Sequence, residues 1–279
     1  MQTRFMKQFA IALALAGIAC AAQAHRPWML PTSTFIETDR EAWVTIDGAV
    51  SEGLFNVDHM PLRMDGLTVT DPDGATAPAP AATVGKFRSS VDLRLPKDGT
   101  YRITLAATSV MGSYRLNGET KRFRASEQNV AKEIPAGATE VNRTTMVQRQ
   151  DTFVTLNKPT TGALKPVGSG LELVPVTHPN ELRAGEKATF RFQLNGQPLP
   201  NFPFSLVPGG VKYRGTINEV RLSTDAKGEA TFTLPAPNMY WLSARYPANE
   251  PANAPRGPGE GQPDSKRYSY SATLEILPE

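Results

Sequence analysis

Residues Ser90–Leu95 read SVDLRL, followed by PKDG (Pro96–Gly99) and YRITL (Tyr101–Leu105). Apolar and polar residues alternate through both runs, which sends every second side chain to one face of a strand. The Asp-Gly turn between them is a hairpin signal, because glycine supplies the backbone angles of a tight reversal. Working outward, WVTI (Trp43–Ile46) is apolar and β-branched, and LTVT (Leu67–Thr70) precedes the turn DPDG (Asp71–Gly74). In the last third, ATFRFQL (Ala188–Leu194) stops at Asn195 and Gly196, and VRLST (Val220–Thr224) turns through DAKG (Asp225–Gly228) into ATFTL (Ala230–Leu234). The chain closes with YSYSATLEIL (Tyr268–Leu277). Beyond the first 24 residues no segment shows a 3.6-residue apolar repeat. The expected fold class is all-β, two immunoglobulin-like β-sandwich domains after a cleaved signal peptide.

The division is expected near Pro166, where KPTTGALKPVGSG (Lys158–Gly170) is rich in breakers. That gives a signal peptide over 1–24, an N-terminal domain over 25–165 and a C-terminal domain over 166–279. Ala248–Asp264 is dense in proline and glycine and too long for a tight hairpin, so a mobile loop is expected there.

The start of the chain sets the compartment. Arg4 and Lys7 give a basic beginning, Phe9–Ala19 is an apolar run too short to span a bilayer, and Ala22, Gln23 and Ala24 form a small-x-small cleavage site. Export to the periplasm is the expectation. Cleavage after Ala24 makes His25 the first mature residue. The single cysteine, Cys20, falls in the leader, so the mature chain carries no disulfide and must be held by an ordinary core. Lipid attachment at Cys20 is the weaker reading, because Gly17 stands where a large aliphatic residue is usual.

Removing Arg4 and Lys7 from the 30 basic residues leaves 28 against 27 acids, a mature charge of about +1. The basic runs KRFR (Lys121–Arg124) and KRY (Lys266–Tyr268) alternate as solvated strand faces do, which argues against nucleic-acid binding. No later apolar stretch reaches the length of a spanning helix.

Three histidines, His25, His59 and His178, carry the candidate chemistry. No HExxH, cysteine pair, P-loop, G-x-S-x-G elbow or dinucleotide-binding glycine pattern accompanies them, so neither catalytic residues nor an organic cofactor are expected. A free amine and an imidazole on one terminal residue form a chelate ring, and both release protons near neutrality when a cation competes. Nitrogen pairs of this kind suit a divalent transition metal, Cu, Ni or Co. Pro27 has no amide N–H to deprotonate, so further ligands must come from elsewhere in the fold. His59, in FNVDHMPLRM (Phe55–Met64), is the second candidate ligand provided the fold brings it to His25. Asp58, Met60 and Met64 lie close by, and thioethers suit reduced copper, although methionine also fills cores. His178, before Pro179, reads as a turn residue, and Met111, Tyr114, Tyr240 and Trp241 read as packing.

AHRPWMLP (Ala24–Pro31) resembles the mature start of a group of exported bacterial proteins that begin with histidine, then an aromatic, then Leu-x-Pro. LELVP (Leu171–Pro175), NELRAG (Asn180–Gly185) and GQPL (Gly196–Leu199) are similar to that family's entry into its second domain. Thr224 to Trp241 resembles a hairpin of an immunoglobulin-like or carboxypeptidase-regulatory-like module. The resemblance implies a periplasmic accessory of nickel, cobalt or iron uptake that works with envelope transport proteins. His25 matches the leading histidine and His59 matches subfamily text, whereas His178 falls where no ligand is required.

The expected function is therefore a non-enzymatic metal-binding accessory that receives or delivers a metal ion or metal complex. The alternative is an envelope protein–protein interaction module in which His25 is incidental, with edge-strand pairing as its physical route. A third reading makes the terminal histidine part of a two-histidine copper brace in an oxidase or oxygenase.

Overall fold

A computed structural model describes residues 25–248 and 265–279. The expected signal peptide, Cys20 and nearly all of the expected 248–264 loop lie outside the described residues.

The strands run in chain order. First come β1 (Arg26–Pro31), β2 (Phe35–Ile36), β3 (Ala42–Ser51), β4 (Met60–Pro61), β5 (Leu67–Thr70), β6 (Thr76–Pro78) and β7 (Thr83–Val84). Next are β8 (Ser89–Leu95), β9 (Gly99–Leu116), β10 (Glu119–Ala125) and β11 (Thr139–Leu156). The remainder are β12 (Leu171–Pro175), β13 (Lys187–Leu194), β14 (Gln197–Pro198), β15 (Pro203–Pro208), β16 (Val220–Ser223), β17 (Glu229–Thr233), β18 (Asn238–Tyr246) and β19 (Ser265–Ile276). The described helices are single turns at Val130–Glu133, Gly162–Leu164 and Val211–Arg214. The chain is an all-β sandwich, as its alternation predicts.

Three sheets form. A ten-stranded sheet runs β16-β15-β18-β19-β11-β9-β5-β6, with β10 on β9 and β2 on β11. A five-stranded sheet runs β1-β3-β8-β7 with β4 on β3, and a four-stranded sheet joins β12, β13, β14 and β17. The tight turns use one device twice. Asp71 Oδ1 accepts the backbone N–H groups of Asp73 and Ala75, and Asp225 Oδ1 accepts those of Lys227 and Glu229. At the second turn Gly228 has φ +76°, and a Cβ there would meet the backbone nitrogen of Leu199 at 2.9 Å.

The large sheet serves two cores. Val44, Ile46, Val91 and Leu93 of the five-stranded sheet pack with Tyr101, Ile103, Val154 and Leu156. Phe190, Phe192 and Phe232 of the four-stranded sheet pack with Phe153, Leu206, Leu242, Tyr270 and Leu274. Phe153 and Val154 are consecutive in β11 and enter different cores, because successive side chains of a strand point to opposite faces. One strand thus has apolar residues on both sides.

Beside Phe153 the same face carries charge. Asp151, 2% exposed, accepts the Thr104 hydroxyl at 2.7 Å, the Tyr270 hydroxyl at 3.0 Å and Arg149 Nε at 3.0 Å. Glu172 accepts the backbone N–H groups of Val167 and Gly168 at 2.8 Å each. Burial and the Asp151 carboxylate raise the Tyr270 hydroxyl pKa well above its ordinary value.

Candidate functional site

His25 stands immediately before β1, whose Arg26–Pro31 pairs antiparallel with β3, Arg26 opposite Ser51. Two indoles fix this edge. Trp28 is 2% exposed and donates its N–H to Ser51 Oγ at 2.8 Å, while Ser51 donates onward to the Gly53 carbonyl at 2.7 Å. Trp241, from β18, donates to the carbonyl of Pro27 at 2.9 Å. Both donors of these buried rings are satisfied, as burial of an indole requires.

The segment after β3 turns back over the indoles. Leu54 is buried with Trp28, Ala49, Val207 and Trp241, and Phe55 packs edge-on against Trp28 at 5.7 Å between ring centroids. Phe55 has φ +63°, a left-handed conformation that is uncommon away from glycine, and it directs the chain toward β4. There Met60 pairs with Val50 of β3, which also pairs with Pro27 of β1. The reversal delivers His59 to His25.

The two imidazoles stack with centroids 3.9 Å apart and planes inclined by 16°. Both residues are exposed, and Glu52 Oε1 lies 3.7 Å from His25 Nε2. The fold therefore brings His25 and His59 together. Met64 is buried in the core between the five-stranded and ten-stranded sheets, whereas Met60, the residue after His59, is exposed at the start of β4. Asp58 is exposed.

Stacked rings are not yet a chelate. Imidazole lone pairs lie in the ring planes, so a near-parallel stack directs them side by side and not to one point. A metal held by both, at about 2.0–2.1 Å from each nitrogen, requires one ring to swing out of the stack. Among the described residues no group of three or more His, Cys, Asp or Glu could hold a metal ion. A third nitrogen would be a main-chain group, the amine of a mature chain starting at His25.

His178 lies elsewhere, and its role is structural. Asn180 donates its backbone N–H to Nδ1 at 3.2 Å, which assigns the ring proton to Nε2. Nε2 faces the Thr100 hydroxyl at 2.9 Å and the Thr160 carbonyl at 3.2 Å. Burial lowers the pKa of this ring, opposed by the Thr160 carbonyl and Glu181. It borders a cavity of about 250 Å³ with Thr161, Leu164, Lys165, Pro175 and Val176.

Sequence reasoning missed Glu52, and it missed that Trp241 would hold the strand carrying His25. Glu52 follows a ten-residue strand as an ordinary surface acid. The Pro27 contact has no local signature, since its partners lie at opposite ends of the chain.

Residues 22–248 match the model of a family described as a domain of unknown function (DUF4198). No curated protein matches the chain. Among solved structures, the D0-D1 domain of intimin is similar at 13% identity and a TM-score of 0.23, covering 90% of this chain and 97% of that one. A D1-D4 ectodomain fragment of ICAM-5 is similar at 12% identity and a TM-score of 0.21, covering 91% of this chain and 51% of that one. Likenesses at these scores decide nothing about function.

Proposed function

The chain belongs to the DUF4198 family, and we propose that this member is a periplasmic accessory protein that binds a divalent transition metal as cargo. The donors are the amine and imidazole of a mature N-terminal His25 together with the imidazole of His59. The observation that carries this reading is the contact of the two rings at 3.9 Å. Two of the three histidines, far apart in sequence, meet on the surface, and β1, the Trp28–Ser51 bond and the Phe55 reversal hold them there.

The chemistry asked of the site is capture and release. Nitrogen donors suit copper, nickel and cobalt, and Glu52 adds a carboxylate beside the pair. Two exposed rings that must reorient to bind favour exchange over permanent retention, as suits delivery to an envelope transport protein. No covalent step is assigned to the site.

Calorimetric titration of mature protein starting at His25 with Cu(II), Ni(II) and Co(II) tests the reading. A stoichiometric site is expected, weakened at least about tenfold by acetylating the His25 amine, because acetylation converts the amine to an amide and puts no new amine in its place. Unchanged affinity in the acetylated protein would overturn the amine chelate.

A further inference from the structure

We propose that the outer face of the β3–β8 layer, centred on Trp43, is a platform for an uncharged oligosaccharide. The chain has three tryptophans. Trp28 and Trp241 are buried at 2% and 7% exposure, while Trp43 is 54% exposed. Val44, Ile46, Val91 and Leu93 point inward, so Trp43, Thr45 and Asp47 of β3 and Ser90, Asp92 and Arg94 of β8 point outward. Across the pair, Trp43 opposes Arg94, Thr45 opposes Asp92, and Asp47 opposes Ser90.

The polar groups on this face are already held in place. Thr45 Oγ1 donates to Asp92 Oδ1 at 2.6 Å, and Ser90 donates to Asp47. Arg94 Nε reaches Glu41 at 2.7 Å, and Arg88 reaches Asp47 at 3.3 Å. Each carboxylate retains acceptor capacity, since an ionised carboxylate offers about four lone-pair sites. Groups fixed before binding lose little freedom when a ligand arrives.

This arrangement selects the ligand chemistry. Glu41, Asp47 and Asp92 oppose a polyanion, and a polycation would have to displace Arg88 and Arg94 from their partners. What remains unmet is an apolar ring face bordered by fixed acceptors and donors. A pyranose presents the complement, an apolar C–H face rimmed by hydroxyls. Trp43 to Asp47 spans roughly 13 Å at the rise of a strand, longer than one sugar ring, so the ligand is an oligosaccharide.

Trp43 is the indole that a quencher in solvent can reach, which makes the test direct. Maltohexaose, cellohexaose and chitohexaose are each titrated against the full mature protein, with hexaguluronate as the anionic control. Protection of Trp43 from acrylamide quenching is read by fluorescence, and affinity by calorimetry. At least one neutral hexasaccharide should give saturable protection, with affinity falling tenfold or more in both Trp43→Ala and Asp92→Asn. The proposal is overturned if no neutral sugar protects Trp43, if hexaguluronate protects equally, or if Trp43→Ala binds unchanged. Protection that rises with protein concentration alone, together with a dimer in sedimentation, would assign the face to a second copy of the chain and also overturn it.

Discussion

Trp241 donates its indole N–H to the main-chain carbonyl of Pro27, 2.9 Å away and 214 residues distant in sequence. A ring from β18, buried in the cluster it shares with Trp28 and Leu54, thus holds the strand that presents His25. The candidate site depends on the second half of the chain although neither of its histidines belongs there.

Trp241→Phe keeps most of the ring and removes the donor. The Pro27 carbonyl then loses its partner in a half-buried position, which should cost about 1–3 kcal/mol. The expected result is a lower urea midpoint with unchanged m-value. Metal affinity should fall as well, because β1 is less firmly placed. A variant as stable as the parent would show that water replaces the indole.

In a chain that starts at residue 25, as proposed, His25→Ala leaves the amine and removes one imidazole, while His59→Ala removes the other. Changing a group that only orients a metal ligand commonly costs about 10–100-fold in metal affinity, so loss of a direct ligand should cost at least about tenfold in each case. The paired variant should fall well short of the product of the two losses, because both rings serve one ion. Calorimetry of the two single variants and the pair decides it. Independent effects would mean that the rings do not share a metal.

Arg149→Met removes the guanidinium beside Asp151, whose side chain is 1% exposed against 11% for Arg149. Stranding a buried charge costs about 3–5 kcal/mol, and this change should be among the most damaging in the chain. Tyr270→Phe removes one of several donors to the same carboxylate and should cost about 1–3 kcal/mol. Equilibrium urea unfolding ranks the two, and the reverse order would refute this account of the cluster.

His178 should make stability depend on pH. Its folded pKa lies below the ordinary 6.5, first because of burial. Above 6.5 both folded and unfolded states hold the ring neutral, and the group has no effect on the balance. As pH falls through 6.5 toward the lowered folded value, the unfolded chain takes up the proton first and stability declines. Protonation also ends the acceptance of the Asn180 N–H at Nδ1. The difference in urea midpoint between about pH 7.5 and about pH 5 should shrink in His178→Gln. An equal difference in parent and variant would place the proton uptake elsewhere.

Strand patterning was open to reading because it is local. In Ser90–Leu95 the inward residues Val91, Leu93 and Leu95 are buried while Asp92 and Arg94 are exposed, as strict alternation requires. Lys121–Arg124 is a strand with only Phe123 buried, again as alternation predicts. The pairing of β11 with β19 was not readable, since Asp151 opposite Ala272 leaves no mark on either segment alone. Phe153 and Val154 are adjacent apolar residues, and which core each enters depends on layers supplied by distant strands. At the candidate site the residue types were legible and their convergence was not. His59 reaches His25 through the left-handed Phe55 and the burial of Leu54 beneath Trp28, neither of which has a sequence signature.

β19 joins the two flanks of the ten-stranded sheet: it lies between β18 and β11, antiparallel to the first and parallel to the second. Until Ser265–Ile276 is present, both of those neighbours keep an open hydrogen-bonding edge, and the core lined by Tyr270, Ala272, Leu274 and Ile276 lacks one wall. A polypeptide missing its final fifteen residues would have no central strand with which to unite its two flanks.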